Sequence, residues 1–151
     1  MTNEEIARRF HRLSALMEIR ADDPFRLRSY RNAAEAIEVW PTQLQEIAEK
    51  EGVAGLQTIP GVGKAIAGKV MDLLDRGTFD AWERLIAETP ETVLDLTEIP
   101  GIGPKTAALL HQRFKVSSLP EFKTFVAGGG LDLVDGIGPK TAEKIKEALD
   151  L

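Results

Sequence analysis

The hydrophobic residues of this chain recur mostly at helical spacing. Within residues 3–19 they lie three and four positions apart, which is typical of an amphipathic helix, and Asn3 is predicted to cap its first turn. The acidic pair before Pro24 predicts the start of a second helix over about residues 25–39, which Pro41 ends. No stretch alternates apolar and polar residues for long enough to predict a strand. The pattern therefore predicts an all-α fold.

One phrase occurs three times in the rest of the chain. It reads IPGVGKAIAGKV at 59–70, IPGIGPKTAALL at 99–110 and VDGIGPKTAEKI at 134–145. Each copy holds two glycines around one apolar residue, followed by an apolar pattern of helical period. The helices predicted after the glycines cover residues 65–74, 105–114 and 140–149. Further short helices are predicted before Gly52 and around residues 79–87, 90–94 and 119–126, and the AGGGL segment at 127–131 is predicted to be a flexible connector.

The repeated Gly-x-Gly turn has the features of an anion-binding site. Glycine allows positive φ and close backbone approach, while Val62, Ile102 and Ile137 are predicted to plug the core. The turn leads into a helix N-terminus, where the first N–H groups lack helical partners and the helix dipole is positive. A phosphate oxygen can be bound there by the backbone alone. In the second and third copies a first-turn lysine and threonine add a cation and a hydroxyl donor.

Composition and charge limit the functions that the chain can have. The 151 residues suffice for one domain or two small ones, and 43% hydrophobic with 28% charged residues is ordinary for a globular protein. There is no apolar run long enough for a membrane span and no signal-peptide pattern, so we expect a cytoplasmic protein. No cysteine and only two histidines make zinc and redox chemistry poor candidates. The net charge of -5 argues against phosphate binding by side chains, but not by backbone N–H groups.

The three phrases resemble the helix-hairpin-helix motif, whose members use hairpin amides to bind DNA phosphates without reading sequence. A wider resemblance covers almost the whole chain. Residues 24–79, beginning PFRLRSY, and residues 96–122, beginning LTEIPGIG, are similar to the N-terminal lyase domain and adjoining DNA-binding subdomain of family X DNA polymerases, the group that contains DNA polymerase beta. The segment VDGIGPKTAEKIKEAL is similar to a third hairpin found before the palm in bacterial members. The resemblance implies DNA binding in DNA repair, base excision repair in particular.

The resemblance also implies a set of functional residues. The DNA-binding residues would be Arg26, Tyr30, Gly61, Gly63, Lys64, Gly101, Gly103, Lys105, Thr106, Gly136, Gly138, Lys140 and Thr141. In the family a potassium or sodium ion bridges the DNA phosphate and hairpin carbonyls. Those carbonyls would belong here to Gln57, Ile59, Val62, Thr97, Ile99 and Ile102, with Asp132, Val134 and Ile137 as a third set. No other cofactor is implied.

A second activity rests on one lysine. Beta-like members carry a lysine after the first hairpin that attacks the aldehyde of a 5′-deoxyribose phosphate, forms a Schiff base and permits β-elimination. Aligning the first hairpin places Lys69 at that position, where it would have to be neutral to react. The alternative is an ordinary exposed lysine, because Lys69 aligns with Lys144 of the third repeat. Several pocket positions also depart from the family: Gln57 and Ala65 replace phosphate-binding lysines, Gly68 replaces a glutamate and Phe25 replaces a base-stacking histidine.

The resemblance divides the chain into a lyase-like helical domain over residues 1–78 and a tandem helix-hairpin-helix subdomain over residues 79–151. The paired aspartates of a polymerase palm have no counterpart, so the chain alone is not expected to polymerise. Its end at Leu151 lies near where a palm would begin, which suggests the front part of a polymerase; a stand-alone DNA-binding protein is the alternative. We predict a monomer that binds gapped, nicked or abasic DNA. The competing hypotheses are a deoxyribose-phosphate or AP lyase and a hairpin-built protein-interaction module.

Overall fold

The computed structural model describes residues 1–151 and contains helices without any strand, so the all-α prediction is confirmed. The α-helices are α1 Asn3–Ile19, α2 Pro24–Glu38, α3 Leu44–Leu56, α4 Lys64–Arg76, α5 Asp80–Glu88, α6 Val93–Leu96, α7 Pro104–Phe114, α8 Leu119–Ala127 and α9 Pro139–Ala148, and a 3-10 helix covers Gly130–Leu133. The chain forms two compact units, Met1–Glu88 and Thr89–Leu151. None of the helices has both the length and the apolarity that a membrane crossing requires.

The first unit is built around the apolar face of α1. The residues predicted from its spacing are all buried: Ile6, Phe10, Leu13, Leu16 and Met17. The Phe10 ring stacks against two other buried rings, with centroids 6.1 Å from Tyr30 and 5.7 Å from Phe79. These contacts join α1, α2 and the start of α5 into one core.

Helix α5 belongs to this first unit, which therefore extends to Glu88 and past the boundary predicted at residue 78. Phe79, just before α5, is 1% exposed. Within the first turn of α5, Trp82 lies under the Arg9 guanidinium, whose carbon is 5.2 Å from the ring centroid. Arg9 also donates a hydrogen bond of 3.1 Å to the carbonyl of Gly77. Aromatic packing and a cation–π contact thus hold the segment after α4 on α1.

Asn3 does not cap α1 as predicted from the sequence. The cap is Thr2, whose hydroxyl accepts from the N–H of Glu5 at 3.2 Å. The side chain of Asn3 is buried and accepts instead from the N–H of Leu44, the first residue of α3, at 2.8 Å. Its amide nitrogen donates to the carbonyl of Thr42 at 2.9 Å. Asn3 therefore satisfies an N-terminal amide of a distant helix, which local spacing gives no means to foresee.

Two glycines outside the repeated turns, Gly52 and Gly130, have structural roles. The third helix is predicted to end near Gly52. In the structure α3 is broken by a kink there, where Gly52 has a φ of 66° and a ψ of -154°. The segment predicted to be a flexible connector instead leads into the 3-10 helix. The ring of Phe125 covers Gly130 so closely that a Cβ there would lie 2.6 Å from ring atoms. Close packing, and not flexibility, therefore requires glycine at 130.

The first glycine of each repeated turn adopts the same left-handed conformation. The φ values are 86° at Gly61, 91° at Gly101 and 88° at Gly136. The second glycine of each turn is the N-cap of the following helix and has extended backbone, with φ between -81° and -95°. The two glycines of one turn therefore have different roles, and the backbone conformation favours glycine only at the first.

The residues between the glycines plug the core in two of the three turns. Val62 and Ile102 are buried, and their N–H groups donate to the carbonyls of Ile59 and Ile99, both at 3.0 Å. The prediction is wrong for Ile137, which is only half-buried and does not make the corresponding bond. The third turn follows a 3-10 helix, and the residue before its glycine is aspartate where the other turns have a proline that fixes φ.

We expect Gly101→Ala to destabilise the second unit by about 3 kcal/mol, because left-handed strain adds to overpacking. A Cβ at Gly101 would lie 2.6 Å from Cγ2 of Thr141. Gly136→Ala, which has the same φ but open space around it, should cost about 2 kcal/mol from strain alone. Urea unfolding of the variants measures these differences.

The matched control is Gly103→Ala. No atom lies within 4 Å of its Cβ position and its φ is -95°. It should cost about 1 kcal/mol or less, the ordinary effect of alanine at an N-cap. Equal losses at Gly101 and Gly103 would refute the different roles of the two glycines.

Candidate nucleic-acid interface

The three helices that follow the repeated turns begin without a side-chain cap. Their N-caps are Gly63, Gly103 and Gly138, and none of them can offer a side-chain acceptor. In three other helices the N-cap side chain accepts from the first turn: Thr2 caps α1, Asp23 caps α2 and Ser118 caps α8. The hairpin helices therefore present N–H groups that no part of the protein satisfies, at the positive end of the helix dipole.

The hairpin amides are also accessible. The first helical bond in each copy is accepted by the capping glycine, at 2.8 Å from Ala67 to Gly63 and 2.9 Å in the other two. The N–H groups ahead of that bond lie on exposed or half-buried residues for most of the first turn. Pro104 and Pro139 remove one donor from the second and third copies, whereas Lys64 retains it in the first. The first hairpin thus offers one more backbone donor.

The predicted hairpin side chains differ in their exposure to solvent. Lys64, Lys105 and Lys140 are exposed, as a contact to phosphate requires. Thr106 and Thr141 are half-buried, and the methyl group of Thr141 packs on Gly101. Thr141 therefore has a structural contact with the second turn in addition to its predicted role at the third.

The three turns pack against different parts of the protein. A Cβ at Gly61 would lie 3.8 Å from backbone atoms of Asn32 and Ala33, so the first turn lies against α2. The second turn lies against Thr141 of α9. Nothing lies within 4 Å of the same position at Gly136. The third turn is thus the least supported of the three.

The hairpin carbonyls have acceptor capacity that the protein does not use. The carbonyls of Ile59 and Ile99 each accept one hydrogen bond, which leaves one of the two lone pairs of each oxygen. The carbonyls of the other predicted ligands accept no hydrogen bond from the protein: Gln57, Val62, Thr97 and Ile102, and likewise Asp132, Val134 and Ile137 of the third set. Oxygen atoms with unused lone pairs are the donors that hard cations prefer.

Three predicted site residues of the first domain meet at Tyr30. Its ring is buried, and Lys69 Nζ lies 5.7 Å from the ring centroid. Its hydroxyl accepts a hydrogen bond from Arg26, which raises the pKa of the guanidinium. That distance allows a cation–π contact between Lys69 and the ring. Lys144, the equivalent residue of the third repeat, is exposed and has no aromatic partner. The two lysines therefore differ in environment despite their alignment.

Sequence reasoning missed further charged residues beside this cluster. A pocket of about 240 Å³ is lined by Arg26 and Tyr30 together with Arg20, Arg84 and Glu88. Arg20 directly follows α1, whereas the others lie on α2 and α5, far apart in sequence. The only local signal is the four-residue spacing of Arg84 and Glu88 on one helix face.

Comparison with known proteins places these features in a wider group. The model of the family described as "Helix-hairpin-helix domain" matches residues 1–79, and that of "SAM-like Helix-hairpin-helix tandem" matches residues 53–115. The chain is 28% identical over 149 residues to the DNA polymerase/3'-5' exonuclease PolX of Bacillus subtilis, covering 99% of this chain and 25% of that protein.

Two other relatives match parts of the chain. DNA polymerase lambda of Arabidopsis thaliana is 30% identical over 88 residues, 56% of this chain and 15% of that protein. The Holliday junction branch migration complex subunit RuvA of Albidiferax ferrireducens is 41% identical over 51 residues, 34% of this chain and 27% of that protein. The chain thus spans about a quarter or less of the polymerases it matches. These similarities confirm the resemblance to the helix-hairpin-helix region of family X DNA polymerases.

Proposed function

The chain belongs to the helix-hairpin-helix family, and from this premise we propose that it binds DNA without sequence preference, as part of a family X repair polymerase. One observation carries the proposal. Three turns whose first glycine has the same left-handed backbone each lead into a helix N-terminus with accessible, uncapped N–H groups. Such donors hold phosphate oxygens in any sequence, because they contact the backbone and not the base edges.

This mode of binding is compatible with an acidic protein. Backbone N–H groups add nothing to the formal charge of -5, and each hairpin needs only one exposed lysine beside them. We propose that the free carbonyl oxygens of the turns, such as those of Val62 and Ile102, hold a potassium or sodium ion next to the phosphate. When bound, the ion would supply positive charge that the side chains do not.

We further propose a preference for interrupted DNA. Each compact unit carries its own hairpin, with Gly61 in the first and Gly101 and Gly136 in the second. Two units on one chain can hold two duplex segments that a gap or nick lets bend apart. One chain supplies both units, so the proposed binding form is a monomer. The cytoplasmic location stays a prediction from the sequence.

The affinity for gapped DNA should fall only gently with salt. With three hairpin lysines as the main side-chain contacts, the slope of log K against log salt should be about -3. Lys105→Ala should reduce the magnitude of that slope by about 1. Gly103→Ala should weaken binding with the slope unchanged, since its methyl group obstructs close approach of phosphate to an uncharged donor. Fluorescence anisotropy over a salt series measures both quantities.

The control is Lys123→Ala on α8, an exposed lysine of the same unit outside the hairpins. It should change neither the affinity nor the slope. If Gly101 and Gly103 variants bound gapped DNA as the wild type does, the hairpins would instead be protein-interaction elements. A slope as steep as about -6 would show that side-chain cations dominate binding.

Lyase chemistry through Lys69 is a second candidate function. The observation that favours it is the meeting of Lys69, Tyr30 and Arg26, the residues to which the resemblance assigns attack and phosphate binding. In the proposed reaction neutral Nζ attacks the sugar aldehyde carbon and water leaves to form the imine. Loss of a C2′ proton then breaks the C3′–oxygen bond, and hydrolysis restores the lysine.

Borohydride trapping on DNA with a 5′-deoxyribose phosphate tests this candidate. The wild type should form a covalent adduct, and Lys69→Ala should lose most of it. Lys144→Ala is the matched control, because it removes the equivalent lysine of the third repeat and should trap as the wild type does. An undiminished adduct with Lys69→Ala would exclude Lys69 as the nucleophile.

A further inference from the structure

A groove of about 220 Å³ lies between α3 and α4, outside the sites described above. Each helix lines it with three residues at positions i, i+3 and i+4, which lie on one face of a helix. These residues are Gln45, Ala48 and Glu49 of α3 and Met71, Leu74 and Asp75 of α4. A groove between two helices that is lined in this way has the shape against which a third helix packs.

The apolar floor of the groove is incompletely covered by the protein. Ala48, Met71 and Leu74 are each half-buried, whereas Val70 and Leu73 of α4 are buried in the core. Covering such a surface with a partner is favourable, by about 25 cal/mol per Å² of apolar area removed from water. Methionine adapts its shape to the side chains it meets, which suits a docking surface.

One carboxylate from each helix borders this floor without a cationic partner. Glu49 and Asp75 are exposed and neither makes an ion pair; Glu49 accepts only a long hydrogen bond of 3.5 Å from Gln45. The adjacent cations are paired with other carboxylates: Lys50 with Glu46 at 2.8 Å, and Arg76 with Asp72 at 3.7 Å and Asp80 at 3.3 Å. The groove therefore has an unpaired negative charge on both sides.

The position of the groove on α4 adds to this negative potential. Asp75 lies in the last turn of α4, where the helix dipole is negative. Lys64 begins the same helix at its positive end, beside the first hairpin, about 16 Å away along the axis. One end of α4 thus favours a phosphate and the other favours a cation.

We propose that this groove binds a basic amphipathic helix of a partner protein. The apolar face of that helix covers Met71 and Leu74, while lysine or arginine side chains on its flanks pair with Glu49 and Asp75. DNA is disfavoured in the groove, because its phosphates would meet two carboxylates. Since the first hairpin lies at the other end of α4, the partner helix and DNA can be bound at the same time.

The probe that tests the proposal is a fluorescent peptide of about four helical turns. Leucines at i, i+3, i+4 and i+7 give it an apolar face, and lysines lie on both flanks of that face. Fluorescence anisotropy with the full chain should show saturable binding. Met71→Gln should weaken it about tenfold, because it places an amide on the apolar floor. Glu49→Gln combined with Asp75→Gln should weaken it about fivefold and reduce its salt dependence.

The matched control combines Glu35→Gln with Glu51→Gln, which removes the same charge from two exposed carboxylates outside the groove. It should bind the peptide as the wild type does. A peptide of the same composition with its leucines scrambled should bind at least about tenfold more weakly, since it has no apolar face. Equal binding of the two peptides, equal losses in the two double variants, or no saturable binding would overturn the proposal.

The outcome for DNA is separate. The double variant at Glu49 and Asp75 should bind gapped DNA as the wild type does, because the groove lies away from the first-turn amides of α4. A chain that bound the peptide through the groove but did not bind gapped DNA would refute the proposed DNA binding and support this inference. A loss of DNA affinity in the double variant would contradict the separation of the two surfaces.

Discussion

The left-handed backbone of the first glycine in each repeated turn is the constraint on which the candidate interface depends. It reverses the chain tightly enough that the second glycine becomes the N-cap of the next helix. Because glycine has no side chain, that cap leaves the first amides unpaired, whereas Ser118 in α8 satisfies one of its own. The same two glycines thus shape the turn and expose its donors. An acidic chain can in this way present local positive potential without basic residues.

The fold was largely predictable because helical periodicity, proline and glycine are local signals. They placed α1, α2 and the three hairpin helices within a few residues of their observed bounds. The misses depend on contacts between distant segments. Asn3 caps a helix that begins at Leu44, and Gly130 is covered by the ring of Phe125. The packing of Phe79, just before α5, on Phe10 is a further contact that no pattern within α5 reveals.

The candidate site also contains residues that the sequence predicts and residues that only the structure brings together. The hairpin residues follow from a phrase repeated in the sequence, while the roles of Lys69, Tyr30 and Arg26 came from family resemblance and their proximity only from the structure. The pocket arginines could not be foreseen, since Arg20 directly follows α1 and its partner Glu88 ends α5, the first and last helices of the first unit. Local sequence therefore specifies backbone binding, and tertiary packing determines the side-chain cluster beside it.

The most direct test of the account is an amide chemical-shift titration of the labelled chain with gapped DNA. Binding through bare helix N-termini predicts that the largest shifts fall on the first-turn amides of the hairpins, including Gly63, Lys64, Gly103 and Lys105. The first turn of α8, which Ser118 already caps, should shift little and provides an internal reference. Hairpin amides that stay unchanged while other surfaces shift on DNA addition would contradict the central claim.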